Sequence, residues 1–334
     1  MLVSDFTYDL PEDRIAKFPP KVRGTTRLLV LNRKTGELQD SYYKDLVDFL
    51  NPGDVLVLND TRVMQSRLFC TLPDGRKREL VVLEKHGDEP QRVMYRGKLH
   101  DGDVLLIEDK ILVKHILGNG IAEVESSTPL AELAEKYGTV PLPPYLHRDA
   151  TNDDKKRYQT VWAREMGSAA APTASLNMTE ELLKKLQDKG VIIKYITLHV
   201  GLGTFLPIRT DNIEDHKMHS EWYSIPEDTI AAIERVKHAR QDPPRVVALG
   251  TTVARTLEYY AKTGKAEGED DIFIYPGFDF KIVDALITNF HAPKSTILML
   301  ASAFAGWDHL KNAYDHAIAE KYNFLSYGDS MLIC

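Results

Sequence analysis

Between about Ser66 and Glu125 the chain changes its period, and that break limits the possible folds more than any other feature. RLFCTLPDGRKRELVVLEKHG and QRVMYRGKLHDGDVLLIEDKILVKHILGNGIAEVE alternate short strands with Asp-Gly, Gly-Asp and Gly-Asn-Gly turns. That spacing belongs to a small antiparallel barrel. The flanks read differently. Ahead of it, RLLVLNRKTGEL is a hairpin turning at Lys34-Thr35-Gly36, and a short helix ends at Asn51-Pro52-Gly53 before the buried strand VLVLN. From Tyr158 onward the strands VIIKYITLHV, RVVALG and DALITNF alternate with the helices IPEDTIAAIERVKHARQ, TTVARTLEYYAKTG and STILMLASAFAGW. Such alternation predicts an α/β layer over a largely buried sheet. A chain of 334 residues exceeds most single cores. The economical fold is a larger α/β layered domain, residues 1–65 and 151–334, with an inserted small antiparallel β-barrel domain. The insert, residues 66–150, ends in the helix PLAELAEKYG and the proline-rich exit TVPLPPYLHRD.

Several function classes fall away on composition. A net charge of −7 gives no global attraction to nucleic acid, so an RNA partner needs a local basic patch. Arg76-Lys77-Arg78 and Lys155-Lys156-Arg157 are the clearest such runs, although a short basic run is usually a solvated turn. The only cysteines, Cys70 and Cys334, are too far apart and too few for a disulfide framework or a cysteine zinc site. MLVSDFTYDLPEDR carries acids where a signal peptide needs a basic flank, and TILMLASAFAGW is too short to span a bilayer. The expectation is a soluble cytoplasmic protein with no membrane contact.

Polar clusters follow the strands: NDTR at 59–62, HVGLGTF at 199–205, GTT at 250–252 and NFHAPKST at 289–296. In open α/β sheets ligands collect outside the carboxyl ends of strands, so this shared placement points to a small-molecule site. GLGTF lacks the third glycine of a dinucleotide fingerprint. Gly250-Thr251-Thr252 can cradle a carboxylate, phosphate or ribose hydroxyl, or simply cap a helix. AAAPTASLNMTEELL, residues 169–183, lays a loop of small residues directly on a helix start, where backbone can approach a ligand closely. DHKMHSE sets His216 and His219 three apart, yet the metallohydrolase pattern is missing, and no metal is expected. His199 and His291, at strand ends beside glycine- or proline-containing loops, are the better acid–base candidates. The residues alone support an α/β enzyme and do not name its reaction.

The long stretches FTYDLPEDRIAKFPPKVRGTTRLLVL, LNPGDVLVLNDTRV, TVPLPPYLHR, TLHVGLGTF, LGTTVARTLE, DIFIYPGFDFKIVDALITNFHAPKSTILML and FLSYGDSML, in this order, carry a resemblance. Together with RYQTVWA, AAPTA and MHSE they resemble the S-adenosylmethionine:tRNA ribosyltransferase-isomerase family of queuosine biosynthesis along almost the whole chain. The resemblance implies transfer of the ribosyl part of S-adenosylmethionine onto 7-aminomethyl-7-deazaguanine at the tRNA wobble position. Isomerisation of the sugar gives epoxyqueuosine and releases adenine and methionine. S-adenosylmethionine is then a ribosyl-donating substrate, no cofactor or metal is needed, and the prior is a monomer. It also implies roles. His199 and His291, with His219 and Glu221 behind them, are candidates for proton transfer. Thr173, Asn177, Gly201, Gly203, Thr204, Thr251 and Thr252 are candidates for the donor. Asp60 is a candidate for the amine or base edge, and Arg62 for a phosphate. Tyr158 would stack on a base extruded from the anticodon loop, beside Gln159 and Lys294 on the substrate.

Three positions depart from the family pattern. Ser175 and Asn177 stand where the family has glycine and histidine after AAPTA, and Val253 where it tends to have serine. Serine adds a Cβ, and asparagine can hydrogen-bond without shuttling a proton near neutral pH. Three accounts follow: a tolerated replacement at a positioning residue, a paralogue with an altered substrate, or a binding protein that has lost turnover.

Overall fold

The computed structural model describes residues 1–83, 90–118, 120–201, 208, 210–239 and 244–334. Its larger body is built on a nine-stranded sheet. The order is Glu267–Asp270, Glu221–Ser224, Ile192–Leu198, Val55–Asn59, Val246–Leu249, Ala285–Asn289, Ser330–Ile333, Arg27–Leu31, Leu38–Tyr42. The four strands from Ile192–Leu198 to Ala285–Asn289 run parallel. A parallel strand covered on both faces reads as an unbroken apolar run, which is what VLVLN is. Val55 and Val57 face the core beneath the helices Glu227–Lys237, Thr251–Thr263, Thr296–Ala305 and Trp307–Ala319. Leu56 and Leu58 face the opposite core, against Leu182 and Leu186 of the helix Glu180–Lys189. That helix starts at Thr179, whose side chain accepts from the Leu182 N–H, and stops at the left-handed Gly190. The Lys34-Thr35-Gly36 hairpin and the other alternating elements form as the sequence predicts. The last strand, Ser330–Ile333, is an addition. It lies antiparallel to Ala285–Asn289 and parallel to Arg27–Leu31, joining the amino-terminal hairpin to the sheet.

The insert is a closed six-stranded barrel, in the order Ile121–Ser126, Arg92–Arg96, Lys77–Val82, Arg67–Thr71, Val104–Leu106, Lys110–Gly118. Leu68, Leu80, Val93, Leu105, Ile111 and Val113 alternate inward to fill it, and Leu130 and Leu133 of the helix Leu130–Tyr137 join the same core. The chain leaves the barrel at Gly138, where a Cβ would sit 1.8 Å from the Gln65 carbonyl oxygen, so only glycine allows this close passage. Beyond it Val140, Leu142 and Leu146 pack with Tyr158, Ala171 and Tyr327 of the larger body. By packing, the proline-rich exit therefore belongs to that body.

The barrel's basic run carries less free charge than its sequence implies. The guanidinium of Arg78 is buried and donates to the carbonyls of Lys98 and Lys77, and Arg76 pairs with Asp74. Among the described residues no helix is long and apolar enough to cross a membrane.

Candidate active site

A cleft of about 370 Å³ opens at the carboxyl ends of Val246–Leu249, Ala285–Asn289 and Ile192–Leu198. Ile192–Leu198 and Val246–Leu249 flank Val55–Asn59 on either side, with Ala285–Asn289 one strand beyond, so the cleft lies where the connections change direction across the sheet and ligands of α/β folds bind. Thr173, Gly250, Thr251, Thr252, Thr288, Asn289, His291 and Lys294 line the cleft. Gly250 opens the helix Thr251–Thr263 with no side-chain cap, leaving first-turn N–H groups and the positive end of the helix at the cleft wall. The second helix there is closed off: Ser295 Oγ accepts from the Leu298 N–H and donates to the Ala292 carbonyl. Thr173 begins a short 3-10 turn, Thr173–Ser175, that forms the facing wall.

His291 is held from three sides. Its Nε2 lies 2.8 Å from Thr288 Oγ1, its N–H donates to the Tyr314 hydroxyl at 2.8 Å, and its carbonyl accepts from the Tyr8 hydroxyl. Burial pushes the imidazole down to about 3, so it is neutral at physiological pH and suited to accepting a hydrogen bond rather than to serving as a charged acid. Asn289 beside it is buried, and its Oδ1 has no hydrogen-bond partner among the described residues. Lys294 sits at the cleft in the left-handed region, φ 58°, with its N–H donating to the Phe6 carbonyl. Its ammonium is exposed and without an ion pair among the described residues.

His199 stands outside the cleft lining, next to Val200, which is part of it. Thr61 Oγ1 is 2.7 Å from its Nδ1, and Trp222 stacks on the ring at 5.2 Å with an interplanar angle of 19°. The backbone of Gly167 closes over the same ring. A Cβ there would lie 2.7 Å from both Cε1 and Nε2. Asp60 neighbours this group: its buried carboxylate accepts from Thr197 Oγ1 at 2.7 Å and from Arg164 at 2.9 Å. The Arg164 side chain is 59% exposed and lies 4.6 Å over the Tyr195 ring, while the carboxylate beneath it is buried.

Glu221 is a holding group by its partners. It accepts from the Gly201 N–H at 2.7 Å and from Arg255, whose Nε donates to Asp270. All three side chains are buried. Burial pulls the Asp270 carboxyl up, while the two carboxylates around Arg255 keep the guanidinium charged against its own burial. Arg255 is one turn into the helix whose start lines the cleft, so this cluster ties the loop at Gly201 to that helix.

The remaining sequence candidates divide. Arg62 is exposed on the strand Thr61–Val63. His219 is exposed, three residues from the half-buried His216, whose pKa is lowered by burial and by His219. Gly203 and Thr204 lie outside the described residues. Two expectations need correction. Tyr158 is fully buried, edge to face with Tyr327 at 5.9 Å, so its ring has no open face for a base. Gln159 gives both ends of its amide to the backbone of Val63, at 3.1 and 2.7 Å, and so pins an edge instead of meeting substrate. Thr61, Arg164, Thr288 and Asn289 were missed as individuals, although three of them stand in or beside the quoted NDTR and NFHAPKST clusters.

Asn177 is also away from the cleft lining. Its amide donates to the Gly328 carbonyl at 3.0 Å and to Ser330 Oγ at 3.3 Å, tying the 169–179 loop to the last strand. Ser175 is buried without a left-handed backbone, so the conformation does not call for glycine. Val253 packs in the helix core.

Comparison with known proteins decides the family. The family model described as "Queuosine biosynthesis protein" matches residues 3–333. The chain belongs to that family. A member of the family from Pelodictyon phaeoclathratiforme, named S-adenosylmethionine:tRNA ribosyltransferase-isomerase, is 54% identical over 343 residues with both chains fully covered. One of the same name from Halothermothrix orenii is 46% identical over 345 residues, again with full coverage. The crystal structure of an S-adenosylmethionine tRNA ribosyltransferase from Thermotoga maritima covers 99% of this chain and 100% of its own, at 32% identity and a TM-score of 0.57.

Proposed function

We infer that this chain is an S-adenosylmethionine:tRNA ribosyltransferase-isomerase. It moves the ribosyl part of S-adenosylmethionine onto 7-aminomethyl-7-deazaguanine at the tRNA wobble position, giving epoxyqueuosine, adenine and methionine. The observation that carries the assignment of roles is the meeting, at one strand-end cleft, of an uncapped helix start with a buried neutral imidazole.

The donor's methionine carboxylate fits the helix start at Thr251 and Thr252, with Lys294 at the rim supplying a second positive charge. Asn289 Oδ1 is free to accept from an ammonium or hydroxyl of the same molecule. The sulfonium acidifies its neighbouring carbon, and a base must take a proton there. His199 suits that role. Its Nδ1 is fixed 2.7 Å from Thr61 Oγ1, which sets the orientation of the ring. The acceptor's aminomethyl group arrives as an ammonium, and Asp60 can hold it by displacing Arg164. Arg62 meets phosphate. S-adenosylmethionine is consumed as substrate, so the chemistry asks for no separate cofactor. The chain acts as a monomer in the cytoplasm, where its tRNA acceptor is found.

A non-catalytic binder loses its main support, because the departure at Asn177 makes a structural contact rather than a reactive one. Incubating the protein with S-adenosylmethionine and a tRNA bearing 7-aminomethyl-7-deazaguanine should release adenine and yield epoxyqueuosine. Release of S-adenosylhomocysteine, or donor binding without adenine, would overturn the reading.

A further inference from the structure

Residues 17–23, KFPPKVR, form a strap whose outer side is apolar and basic at once. Three arginines fasten it, two through its backbone and one through its own side chain. Arg148 donates to the Lys17 carbonyl at 2.6 Å, Arg157 to the Pro20 carbonyl at 2.6 Å, and Arg23 of the strap to the Gln159 carbonyl at 3.0 Å. Arg148 is itself fixed, bidentate, on the buried Asp154. What the strap leaves outside is unusual for an unpartnered surface. Phe18 is 61% exposed with the Arg148 guanidinium 4.2 Å over one face of its ring, and Val22 is 62% exposed. Lys21, Lys155 and Lys156 are exposed around them, with no ion pair among the described residues.

We propose that this strap, with Lys155 and Lys156, is a docking surface for the tRNA substrate: the three lysines take backbone phosphates, and Phe18 stacks on one unpaired base. The proposal rests on the reading that tRNA is the acceptor. Its own support is complementarity. In a chain of net charge −7, a cluster of unpaired cations around an exposed aromatic already backed by a guanidinium is the arrangement that binds single-stranded nucleic acid. The position is also suitable. Immediately before the strap, Ile15 and Ala16 pair with Phe324, and Leu325 and Ser326 beyond it line the cleft. RNA lying on the strap would thus reach the cleft mouth. The barrel, whose Arg76 and Arg78 are already engaged, is the competing surface.

The test is binding of a tRNA bearing 7-aminomethyl-7-deazaguanine to the full chain, measured across a range of salt. Combined Lys21→Glu, Lys155→Glu and Lys156→Glu should weaken binding about tenfold or more and lower the salt slope by about 2, at roughly 0.7–0.9 for each phosphate no longer neutralised. Phe18→Ala should weaken it about tenfold, and Phe18→Tyr should restore it where Phe18→Leu does not. These side chains lie outside the cores, so melting midpoints should stay put. Unchanged affinity and slope in the lysine variant, or a loss seen instead in Arg76→Glu with Lys77→Glu, overturns the strap. Because binding is read without turnover, a wild-type protein that binds through the strap but releases no adenine would sink the reaction and leave the surface standing.

Discussion

Thr61 Oγ1 lies 2.7 Å from Nδ1 of His199, and the stacked indole of Trp222 keeps the imidazole from turning away from it. A base that must present one particular nitrogen needs both its tautomer and its ring plane held. Thr61→Val keeps the shape and removes the hydroxyl. The expected result is a fall in kcat of about tenfold with little change in KM for S-adenosylmethionine, while Thr61→Ser stays near wild type. His199→Ala should cost roughly 10²–10⁴ in kcat. Single-turnover adenine release measures both, and an unchanged rate for His199→Ala removes it as the base.

The burial of His291 has a pH signature. Its folded pKa, about 3, lies below the ordinary 6.5, so the unfolded chain binds this proton first. Stability from this group is therefore complete above about pH 6.5 and falls as pH drops toward 3, by about 1.4 kcal/mol per unit. Between pH 6.5 and 4.5, His291→Gln should flatten the loss of stability with acid. Urea midpoints at pH 6.5, 5.5 and 4.5 test it, and parallel curves for the two proteins would refute the buried neutral imidazole.

How much of this was legible beforehand follows from range. VLVLN and the Asp-Gly turns of the barrel are local signals, and both elements stand where the sequence puts them. Ser330–Ile333 was not legible, because four residues show no period and its place depends on pairing with Leu28 and Leu286, far away in the chain. Of the strand-end clusters, GTT at 250–252 and NFHAPKST at 289–296 line the cleft, while NDTR does not. Tyr158 misled because an aromatic beside Lys155, Lys156 and Arg157 looks exposed, and only the fold brings Tyr327 and Leu146 over it. Likewise, nothing adjacent to Glu221 announces Arg255 and Asp270, which share a site only across the sheet edge.

That cluster makes a strong stability prediction. Arg255→Met removes the buried guanidinium that both Glu221 and Asp270 pair with, a change expected to cost about 4 kcal/mol. Adding Glu221→Gln and Asp270→Asn should recover much of it. Lowering the pH should also shrink the deficit, since burial already holds the Asp270 carboxyl above its ordinary range and loss of the guanidinium favours its neutral form further. Denaturant unfolding of the three variants decides this. A small deficit that ignores pH would mean the charges are solvated rather than buried.

At Asn177 the departure from the family pattern is a structural tie. Because Asn177 acts by donating to Gly328 and Ser330, Asn177→His with Ser175→Gly should leave turnover within about tenfold of wild type, which is ~1.4 kcal/mol. Asn177→Ala, which removes the tie, should lower stability by about 1 kcal/mol. A large gain in kcat on restoring histidine would show instead that position 177 takes part in the chemistry.

Lys294 holds a left-handed conformation at the cleft rim, φ 58°, which costs a residue with a Cβ about 1 kcal/mol. Glycine avoids that cost but carries no charge, so strain and function separate in one position. Lys294→Gly should be more stable than wild type by about 1 kcal/mol and bind S-adenosylmethionine more weakly, whereas Lys294→Ala should share the weaker binding without the gain. Unfolding midpoints and KM for the donor measure the two effects independently. If both variants keep the wild-type KM, the ammonium does not face the donor's carboxylate, and the helix start at Thr251 must hold it alone.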